Sequence, residues 1–231
     1  MHRLVVVVPA LNEAAILHRL LSQLAAARAR GAEVIVVDGG STDETVRVAT
    51  PLCDRVVTST PGRGAQLEAG IAASKRAFVW LLHADSLLPS GAAEAVVAAL
   101  SQRPNRWGRF DIALSESRAD ARLRVVAAMM NLRTRATGIV TGDHGVFLER
   151  ELLTAAGGMP PQPLMEDIEL SKRLRALAWP IALRTPIVTS SRRWREHGVW
   201  RTVITMWWFR LRYFFGAKPV DLARAYYGRK Q

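Results

Sequence analysis

Cysteine, linker sequence and long apolar runs are scarce or missing in this chain. The single cysteine, Cys53, cannot form an internal disulfide, which excludes a disulfide-stabilised secreted scaffold and fits a reducing, cytoplasmic compartment. No apolar stretch is long enough to cross a bilayer, and the N-terminal run is too brief for a convincing signal peptide. Because no Pro/Ser-rich linker or repeat divides the 231 residues, we expect a single domain over 1–231.

Acidic residues are scarce in the last quarter of the chain. Residues 172–231 hold 14 Lys and Arg against 2 Asp and Glu, whereas residues 1–171 hold 18 of each, so the C-terminal segment carries the whole net charge of +12. Such a segment suits phosphate-rich ligands, anionic lipid or nucleic acid. A solubilising basic face is the alternative. Since no nucleic-acid-binding motif accompanies the charge, we expect no nucleic-acid partner.

Short apolar runs alternate with helical patterns in the first hundred residues. The predicted strands are Leu4–Val8, Glu33–Val37, Arg55–Thr58 and Phe78–Leu82. Apolar spacing predicts helices over 12–28, 64–74 and 91–100, and Ser41 to Glu44 has the spacing of a capping box that opens another helix. This alternation is typical of a Rossmann-like α/β fold, a mainly parallel sheet flanked by helices.

The second half of the chain has a weaker pattern. It favours a strand over 107–113, a helix over 119–134 and a helix that begins near Glu166.

Each strand of the first half is followed by an acid, an arginine or a glycine turn. Asn12 and Glu13 follow the first, Asp38 the second, Arg63 the third and Asp85 the fourth. Because the carboxyl ends of parallel strands share one edge of a sheet, these groups would meet there. Acids for a ribose or a cation, together with glycines and an arginine for a diphosphate, favour a nucleotide pocket. Polar residues are also ordinary in loops, and either aspartate could simply begin a turn.

Several short motifs occur in order along the chain. They are Pro9-Ala-Leu-Asn-Glu-Ala14, Val37-Asp-Gly-Gly-Ser-Thr-Asp43, Gly62-Arg-Gly-Ala-Gln66, His83-Ala-Asp85, Gly142-Asp-His-Gly145, Gly157-Gly158, Glu166-Asp167 and Arg192-Arg-Trp194. The ordered set resembles the family-2 glycosyltransferases with the GT-A fold over nearly the whole chain. It looks closest to the short members called radical-SAM/selenium-domain-associated transferases. The resemblance implies a nucleotide-binding half (1–103), an acceptor and catalytic half (104–197) and a helical C-terminal segment (198–231).

The resemblance assigns the early motifs to a nucleoside-diphosphate sugar, with a UDP-sugar as the first guess. Glu13 and Asp38 would contact its ribose and base, and Arg63 would lie near the base and diphosphate. The residues expected to bind the donor are Pro9, Asn12, Glu13, Asp38, Arg63, Gly64, His83 and Ala84. From the residues alone, Glu13 could also be an acid in the first turn of a helix.

Asp85 matches the last acid of the family's Asp-x-Asp motif, which implies Mg²⁺ or Mn²⁺ as cofactor. The cation would take this carboxylate, the donor diphosphate and water as ligands. His83 stands where the family has the first acid, which lowers the local negative charge and leaves the ligand count open. His197 could complete the metal site or be an ordinary polar residue.

The pair Glu166-Asp167 carries the catalytic step that the resemblance implies. Asp167 would act as general base, taking the acceptor's proton during attack on the anomeric carbon, with Glu166 beside it. One displacement predicts inversion, and Ser190 in place of the Gln of processive enzymes predicts a single addition. Acids in the first turn of a helix are also common for structural reasons. The residues expected near the donor sugar or acceptor are Asp143, His144, Arg193 and Trp194.

An amphipathic, aromatic and basic helix is predicted after residue 198. Its apolar stripe is Trp200, Val203, Ile204, Trp207, Trp208, Leu211, Phe214 and Phe215. Packing into the core is the default use of such a stripe. Because Met206, Phe209 and Tyr213 form a second apolar face with arginines between the two, a peripheral membrane surface, a lipid-linked acceptor or a subunit partner is the alternative.

Two other functions stay open from the sequence. Transfer to a polyprenyl phosphate at the cytoplasmic face of a membrane would use the basic, aromatic C-terminus. A non-catalytic nucleotide-sugar-binding module would follow if His83 marks a decayed metal site. A nucleotidyltransferase is disfavoured because no Gly-rich, Lys-containing signature follows the first strand. The sequence leaves the acceptor and the oligomeric state open.

Overall fold

A seven-stranded sheet forms the centre of the computed structural model, which describes residues 1–102, 104–117 and 119–228, apart from the side chain of Arg193. The strands are β1 (Leu4–Ala10), β2 (Glu33–Asp38), β3 (Arg55–Thr58), β4 (Phe78–Leu81), β5 (Trp107–Leu114), β6 (Phe147–Glu149) and β7 (Ile181–Thr189). Their order is β3-β2-β1-β4-β6-β5-β7. Pairs from β3 to β4 and the pair β5–β7 are parallel, whereas β6 is antiparallel to both neighbours. The predicted mainly parallel α/β fold is confirmed.

Helices cover both faces of this sheet. They are α1 (Ala14–Ala29), α2 (Thr45–Ala49), α3 (Arg63–Ala72), α4 (Ala92–Ser101), α5 (Ala121–Thr137), α6 (Arg150–Ala155), α7 (Glu166–Leu177), α8 (Arg192–His197), α9 (Val199–Phe214) and α10 (Pro219–Tyr227). Short 3₁₀ turns lie at Thr50–Leu52 and Gly142–His144.

Strand β1 shows why the sequence forms a two-sided core. Val6 and Val8 pack into the cluster that contains the leucines of α1, whereas Val5 and Val7 pack into the cluster that contains α3 and α7. A parallel strand covered on both faces needs apolar side chains at every position, which the unbroken valine run provides.

Pairing of β4 with β6 joins the two halves of the chain in one sheet. Phe78 lies opposite Glu149, and Trp80 lies opposite Phe147. The predicted division into a donor half and an acceptor half, with its boundary at residue 103, stays a prediction.

The predicted capping box at Ser41–Glu44 is wrong. Helix α2 begins only at Thr45, and Glu44 makes no side-chain cap. Asp43 instead accepts the amide N–H of Thr45 at 2.9 Å and that of Ala14 at 3.2 Å. This acid therefore joins the starts of two helices, a long-range role that spacing within one segment does not reveal.

Strand β7 is absent from the sequence-based prediction. Its run contains Arg184 and Pro186, which are unusual inside a strand, and its pairing with β5 shifts register between Phe110 and Asp111. The strand nevertheless matters for the site because its carboxyl end reaches the same edge of the sheet as β1 and β4.

The default prediction for the aromatic stripe of α9 is wrong, because most of the stripe faces solvent. Trp200, Trp207 and Phe214 are among its exposed members, and α9 packs through Val199, Thr202 and Phe209 instead. Within the described ranges, no helix combines the length and apolarity needed to cross a membrane.

Candidate active site

A cavity of about 410 Å³ opens where β1, β4 and β7 end. Residues that follow these strands form its walls together with the first turns of α3 and α7. This volume lies in the usual range of about 300–1,000 Å³ for small-molecule sites. The predicted site residues that line it are Pro9, Glu13, Arg63, His83, Ala84, Asp85, Asp143, Glu166, Asp167 and Trp194. The fold therefore brings together groups that are as much as 185 positions apart, from Pro9 to Trp194.

Two carboxylates beside the cavity, Glu13 and Asp85, repel each other electrostatically. Burial raises the pKa of Glu13 and the charge of Asp85 raises it further, against the opposing charge of Arg192. A cation between or beside two such acids would relieve both the repulsion and the cost of burial.

Arg63, the first residue of α3, contacts three other site residues. Its Nε donates to Glu166, its Nη2 lies 3.1 Å from Oδ2 of Asp167, and its Nη1 lies 3.0 Å from Nε2 of His83. Burial opposes a charged guanidinium here, but the charges of Glu166 and Asp167 outweigh it and raise the pKa of Arg63. A permanent cation therefore lies between His83 and the two acids of α7.

The contacts of His83 define its tautomer. A guanidinium has no acceptor atom, so Nε2 of His83 must accept from Arg63. The proton then resides on Nδ1, which lies 3.2 Å from Oδ1 of Asp143 and donates to it. His83 therefore bridges a cation and a carboxylate, instead of supplying the acid expected at this position.

Asp143 reaches the cavity from the 3₁₀ turn after α5. Desolvation works to raise its pKa, but the hydrogen bond from His83 and the charge of Arg63 hold the pKa of Asp143 well below its usual range. Its neighbour Gly142 permits the close packing, because a Cβ there would lie 2.4 Å from Nε2 of His83.

Asp167 is held by hydrogen bonds to both carboxylate oxygens. Oδ2 accepts from the amide of Gly142 at 2.9 Å as well as from Arg63, and Oδ1 accepts from the amide of Ile168 at 2.8 Å. Met165 adopts a left-handed conformation with φ 65° directly before α7, which turns the chain so that Glu166 and Asp167 both lie in the first helical turn. Both acids line the cavity; Glu166 is buried there, whereas Asp167 is half-buried.

His144 lies behind the cavity wall and does not line it. Its Nδ1 lies 3.1 Å from Oγ1 of Thr141, and its Nε2 is buried with no hydrogen-bond partner among the residues described. Burial, with the charge of Arg109 next, lowers the pKa of His144 to about 3. The imidazole is therefore neutral at physiological pH, which makes its role in this structure one of packing.

Asn12 and Asp38, two predicted donor ligands, serve the loops around the cavity. Asn12 donates its amide to Ser41 Oγ at 2.9 Å and accepts from the amide of Thr42 at 2.8 Å. Asp38 is buried and accepts from the amides of Gly40 and Ser41 at 3.0 and 3.1 Å. These contacts match the alternative interpretation of Asp38 as a turn-forming acid, and neither residue lines the cavity.

Two further predicted residues, Gly64 and His197, do not line the cavity, and a third, Arg193, has a side chain outside the described residues. Gly64 packs closely on the loop before α7, since a Cβ would lie 2.9 Å from the carbonyl oxygen of Gln162. His197 is exposed at the end of α8 and does not line the cavity with Asp85. The side chain of Arg193 lies outside the described residues.

Sequence reasoning missed part of the cavity wall. Gln66 is buried there and donates to the carbonyls of Ala10 at 2.7 Å and Val37 at 2.9 Å, which ties the ends of β1 and β2 together. From α9, Met206 and Arg210 also line the cavity. Gln66 is the last residue of the Gly62–Gln66 motif, and Met206 belongs to the second apolar face of the C-terminal helix. Both residues therefore stand out in the sequence, but neither pattern predicts a place in the cavity wall.

The residues present fit a cation that is held only partly by protein. Throughout the described part of the chain, no group of three or more His, Cys, Asp or Glu side chains is arranged to hold a metal ion. Asp85 and Glu13 nevertheless supply hard oxygen ligands whose repulsion a cation would relieve. Such a partial set suits Mg²⁺ or Mn²⁺ completed by phosphate oxygens and water.

The chain belongs to the family described as glycosyltransferase-like family 2, whose model matches residues 2–210. The predicted family and the predicted GT-A type of fold are thereby confirmed. No curated protein is significantly similar to the chain in sequence.

Several solved structures share the fold of this chain. TarS from S. aureus matches with a TM-score of 0.65 at 17% identity, over 81% of this chain and 60% of that chain. Glucosyl-3-phosphoglycerate synthase from Mycobacterium tuberculosis, in complex with Mn²⁺, UDP and glucosyl-3-phosphoglycerate, matches with 0.57 at 23%, over 80% and 70%. The mannosyltransferase PcManGT from Pyrobaculum calidifontis, in complex with GDP-Man and Mn²⁺, matches with 0.58 at 25%, over 81% and 56%.

Proposed function

We propose that this protein transfers one sugar from a nucleoside-diphosphate sugar to an acceptor with inversion, and that Asp167 is the general base. The observation that carries the proposal is the convergence of Asp85, Arg63 and Asp167 on one cavity of a family-2 transferase fold. These groups supply, in turn, a ligand for a cation, a permanent positive charge and an oriented carboxylate.

In the proposed reaction, an oxygen of the acceptor attacks the anomeric carbon from the face opposite the leaving diphosphate. The new carbon–oxygen bond forms as the bond to the diphosphate oxygen breaks, and the acceptor's proton passes to a carboxylate oxygen of Asp167. Arg63 would stabilise charge that develops on the diphosphate. Because Arg63 also holds Asp167, movement of its guanidinium toward a bound diphosphate would remove one of the two hydrogen bonds to Oδ2 and leave a lone pair for the proton.

Asp85, with Glu13 nearby, would hold the Mg²⁺ or Mn²⁺. When bound, the cation offsets negative charge on the departing nucleoside diphosphate. Neighbours in complex with Mn²⁺ and with UDP or GDP-Man support a nucleotide-sugar donor. We keep a UDP-sugar as the first choice, in line with the sequence-based expectation. The ordered motifs support membership of the radical-SAM-associated subgroup, and the single cysteine supports a cytoplasmic location.

The proposal is tested by a panel of UDP-, GDP- and dTDP-sugars with Mn²⁺, read by thermal denaturation of the purified protein. A donor at a hundred times its dissociation constant should add about 2.7 kcal/mol to the free energy of unfolding. Analysis of the product of the stabilising donor should show an inverted anomeric configuration. If none of the nucleotide sugars stabilises the protein, the proposal is wrong.

A non-catalytic binding module is the competing interpretation, and His83 in the metal motif favours it. The two are separated by Asp85→Ala and Asp167→Ala. If the protein binds the donor but neither transfer nor donor hydrolysis depends on these carboxylates, the protein is a binding module. If turnover is present and is lost with either substitution, the transferase is correct.

Transfer to a polyprenyl phosphate is a second candidate reaction. Met206 and Phe209 give the cavity an apolar wall on α9, and Arg210 adds a cation beside them. An isoprenoid chain with a phosphate head would match that combination. Radiolabelled sugar that enters an organic-extractable lipid in the presence of polyprenyl phosphate would support this acceptor, and its appearance only in water-soluble products would exclude it.

A further inference from the structure

The outer face of α9 is the largest apolar feature left unused by the proposed reaction. Ile204 is 68% exposed, Trp207 57% and Phe214 82%. The full exposed set on this helix and its end is Trp200, Ile204, Trp207, Trp208, Leu211, Phe214 and Phe215. We call this set the α9 outer face. Leaving so many large apolar side chains in water is unfavourable, so a surface of this kind indicates a binding partner.

The α9 outer face is a continuous stripe and not a scatter of single residues. At about 100° per residue, its seven members fall within a sector of roughly 120° around the helix. At the helix end, the rings of Phe214 and Phe215 lie 5.5 Å apart in an edge-to-face contact. A stripe this wide is what an amphipathic helix needs to lie along an apolar boundary.

Contacts on the inner face of α9 fix its orientation. Tyr213 Oη lies 3.1 Å from Oε2 of Glu169 on α7, and Phe209 packs edge-to-face on Tyr226 of α10 at 5.6 Å. Val199 and Trp194 pack with Leu123 of α5 in one buried cluster. The outer face therefore cannot turn inward without breaking these contacts, which argues that its exposure belongs to the folded protein.

Charge identifies the partner. Arg201 and Arg212 are exposed and lie, by helical spacing, along one edge of the stripe. The whole segment 172–231 holds 14 basic and 2 acidic residues. Tryptophans and phenylalanines beside arginines suit the interface of an anionic bilayer, where the rings enter the headgroup boundary and the cations pair with lipid phosphate. A copy of the same basic surface would repel this one, which disfavours a symmetric dimer through it.

We propose that the α9 outer face docks the protein peripherally on an anionic lipid bilayer, with α9 lying in the plane of the interface. Met206 and Arg210 of the same helix line the cavity. Docking would place the cavity beside the lipid headgroups, within reach of a lipid-linked acceptor. The α9 outer face does not include the residues proposed for transfer, so the docking proposal can be wrong while the proposed reaction is right, and the reverse.

Co-sedimentation of the full chain with vesicles tests the proposal. The protein should sediment with phosphatidylcholine–phosphatidylglycerol vesicles and much less with pure phosphatidylcholine vesicles, and added salt should weaken the binding. The double variant Trp207→Ser/Trp208→Ser should bind roughly tenfold more weakly or worse, because two interfacial anchors are lost. Trp179→Ser is the matched control, since Trp179 is 58% exposed but lies after α7, outside the stripe.

Two further measurements make the outcome decisive. Arg201→Gln/Arg212→Gln should reduce binding to the anionic vesicles while leaving any weak binding to neutral ones, and Asp167→Asn should bind as the parent does. Circular dichroism and thermal denaturation would show that each variant is folded. Equal binding by the tryptophan variant and the control, or no binding to anionic vesicles, overturns the proposal. A dimer in sedimentation velocity that the tryptophan substitutions dissociate would assign the face to a second copy and overturn it as well.

Discussion

His83 donates from Nδ1 to Oδ1 of Asp143, 3.2 Å away. The position where the resemblance places an acid thus holds a hydrogen-bond donor, and a carboxylate reaches the same place from the turn after α5. Arg63 lies on the other side of the imidazole, 3.0 Å from Nε2. The substitution of His for an acid therefore does not leave the site short of negative charge, which argues against decay of the site.

Replacing His83 by Asp tests this relationship. Two carboxylates would then face each other at position 83 and Asp143, and we expect the free energy of unfolding to fall by about 1–3 kcal/mol without a divalent cation. Mn²⁺ should restore more stability to this variant than to the parent. Thermal denaturation with and without Mn²⁺ measures both effects.

His83→Asn is the control for that substitution, because an amide can donate to Asp143 and accept from Arg63. It should lose less stability than His83→Asp and show no added response to Mn²⁺. An Asp variant that is as stable as the parent without metal would contradict the described pairing.

Asp167→Asn tests the proposed general base. Turnover should fall by roughly 10²–10⁴-fold, because the acceptor's proton has no carboxylate to receive it. Donor affinity, measured by calorimetry, should change little. Initial rates with the donor that stabilises the protein measure the fall in turnover.

Glu166→Gln separates catalysis from support of the site. Glu166 is buried against Arg63, so we expect a loss of stability of about 1–3 kcal/mol and a smaller loss of turnover than for Asp167→Asn. A larger loss of turnover in Glu166→Gln would contradict the assignment of the base to Asp167.

The first half of the fold is predictable because its signals are local. The valine run of β1 and the leucines of α1 are read directly as elements, and one edge of a parallel sheet then collects the polar strand ends. The prediction fails where distant segments decide the outcome. Strand β7 exists because β5 accepts it despite Pro186, and Asp43 is used by two helices at once.

The site follows the same division. Asp85 and Asp167 are found from short motifs, since each lies just after a strand or at a helix start. Pairing of His83 with Asp143 joins residues on different motifs, so spacing along the chain carries no trace of it. The exposed stripe of α9 shows the same limit, because periodicity defines a face but does not say which face meets the core.

Gly142→Ala should disable the site through packing. The added Cβ would lie 2.4 Å from Nε2 of His83, a distance that requires the imidazole or the turn to move. We expect a loss of about 1–3 kcal/mol in stability and a fall in turnover, because the amide of Gly142 also holds Asp167. Gly228→Ala is the control, since a Cβ there meets nothing within 4 Å. Unchanged denaturation of Gly142→Ala would contradict the described contact.

His144 should make stability depend on pH in mild acid. Its pKa is lowered from 6.5 to about 3 by burial and by the charge of Arg109, so between these values the unfolded chain binds a proton that the folded protein does not. The stability from the neutral imidazole is then fully present above pH 6.5 and is lost as the pH falls, by about 1 kcal/mol per pH unit. Denaturant titrations from pH 7 to 5 measure this slope.

His144→Leu should flatten that slope, because leucine takes up no proton in either state. The substitution costs the hydrogen bond between Nδ1 and Thr141, whereas Nε2 has no partner within the described part of the chain to lose. If His144→Leu keeps the parent's slope, another group takes up the proton and His144 is not held neutral by burial.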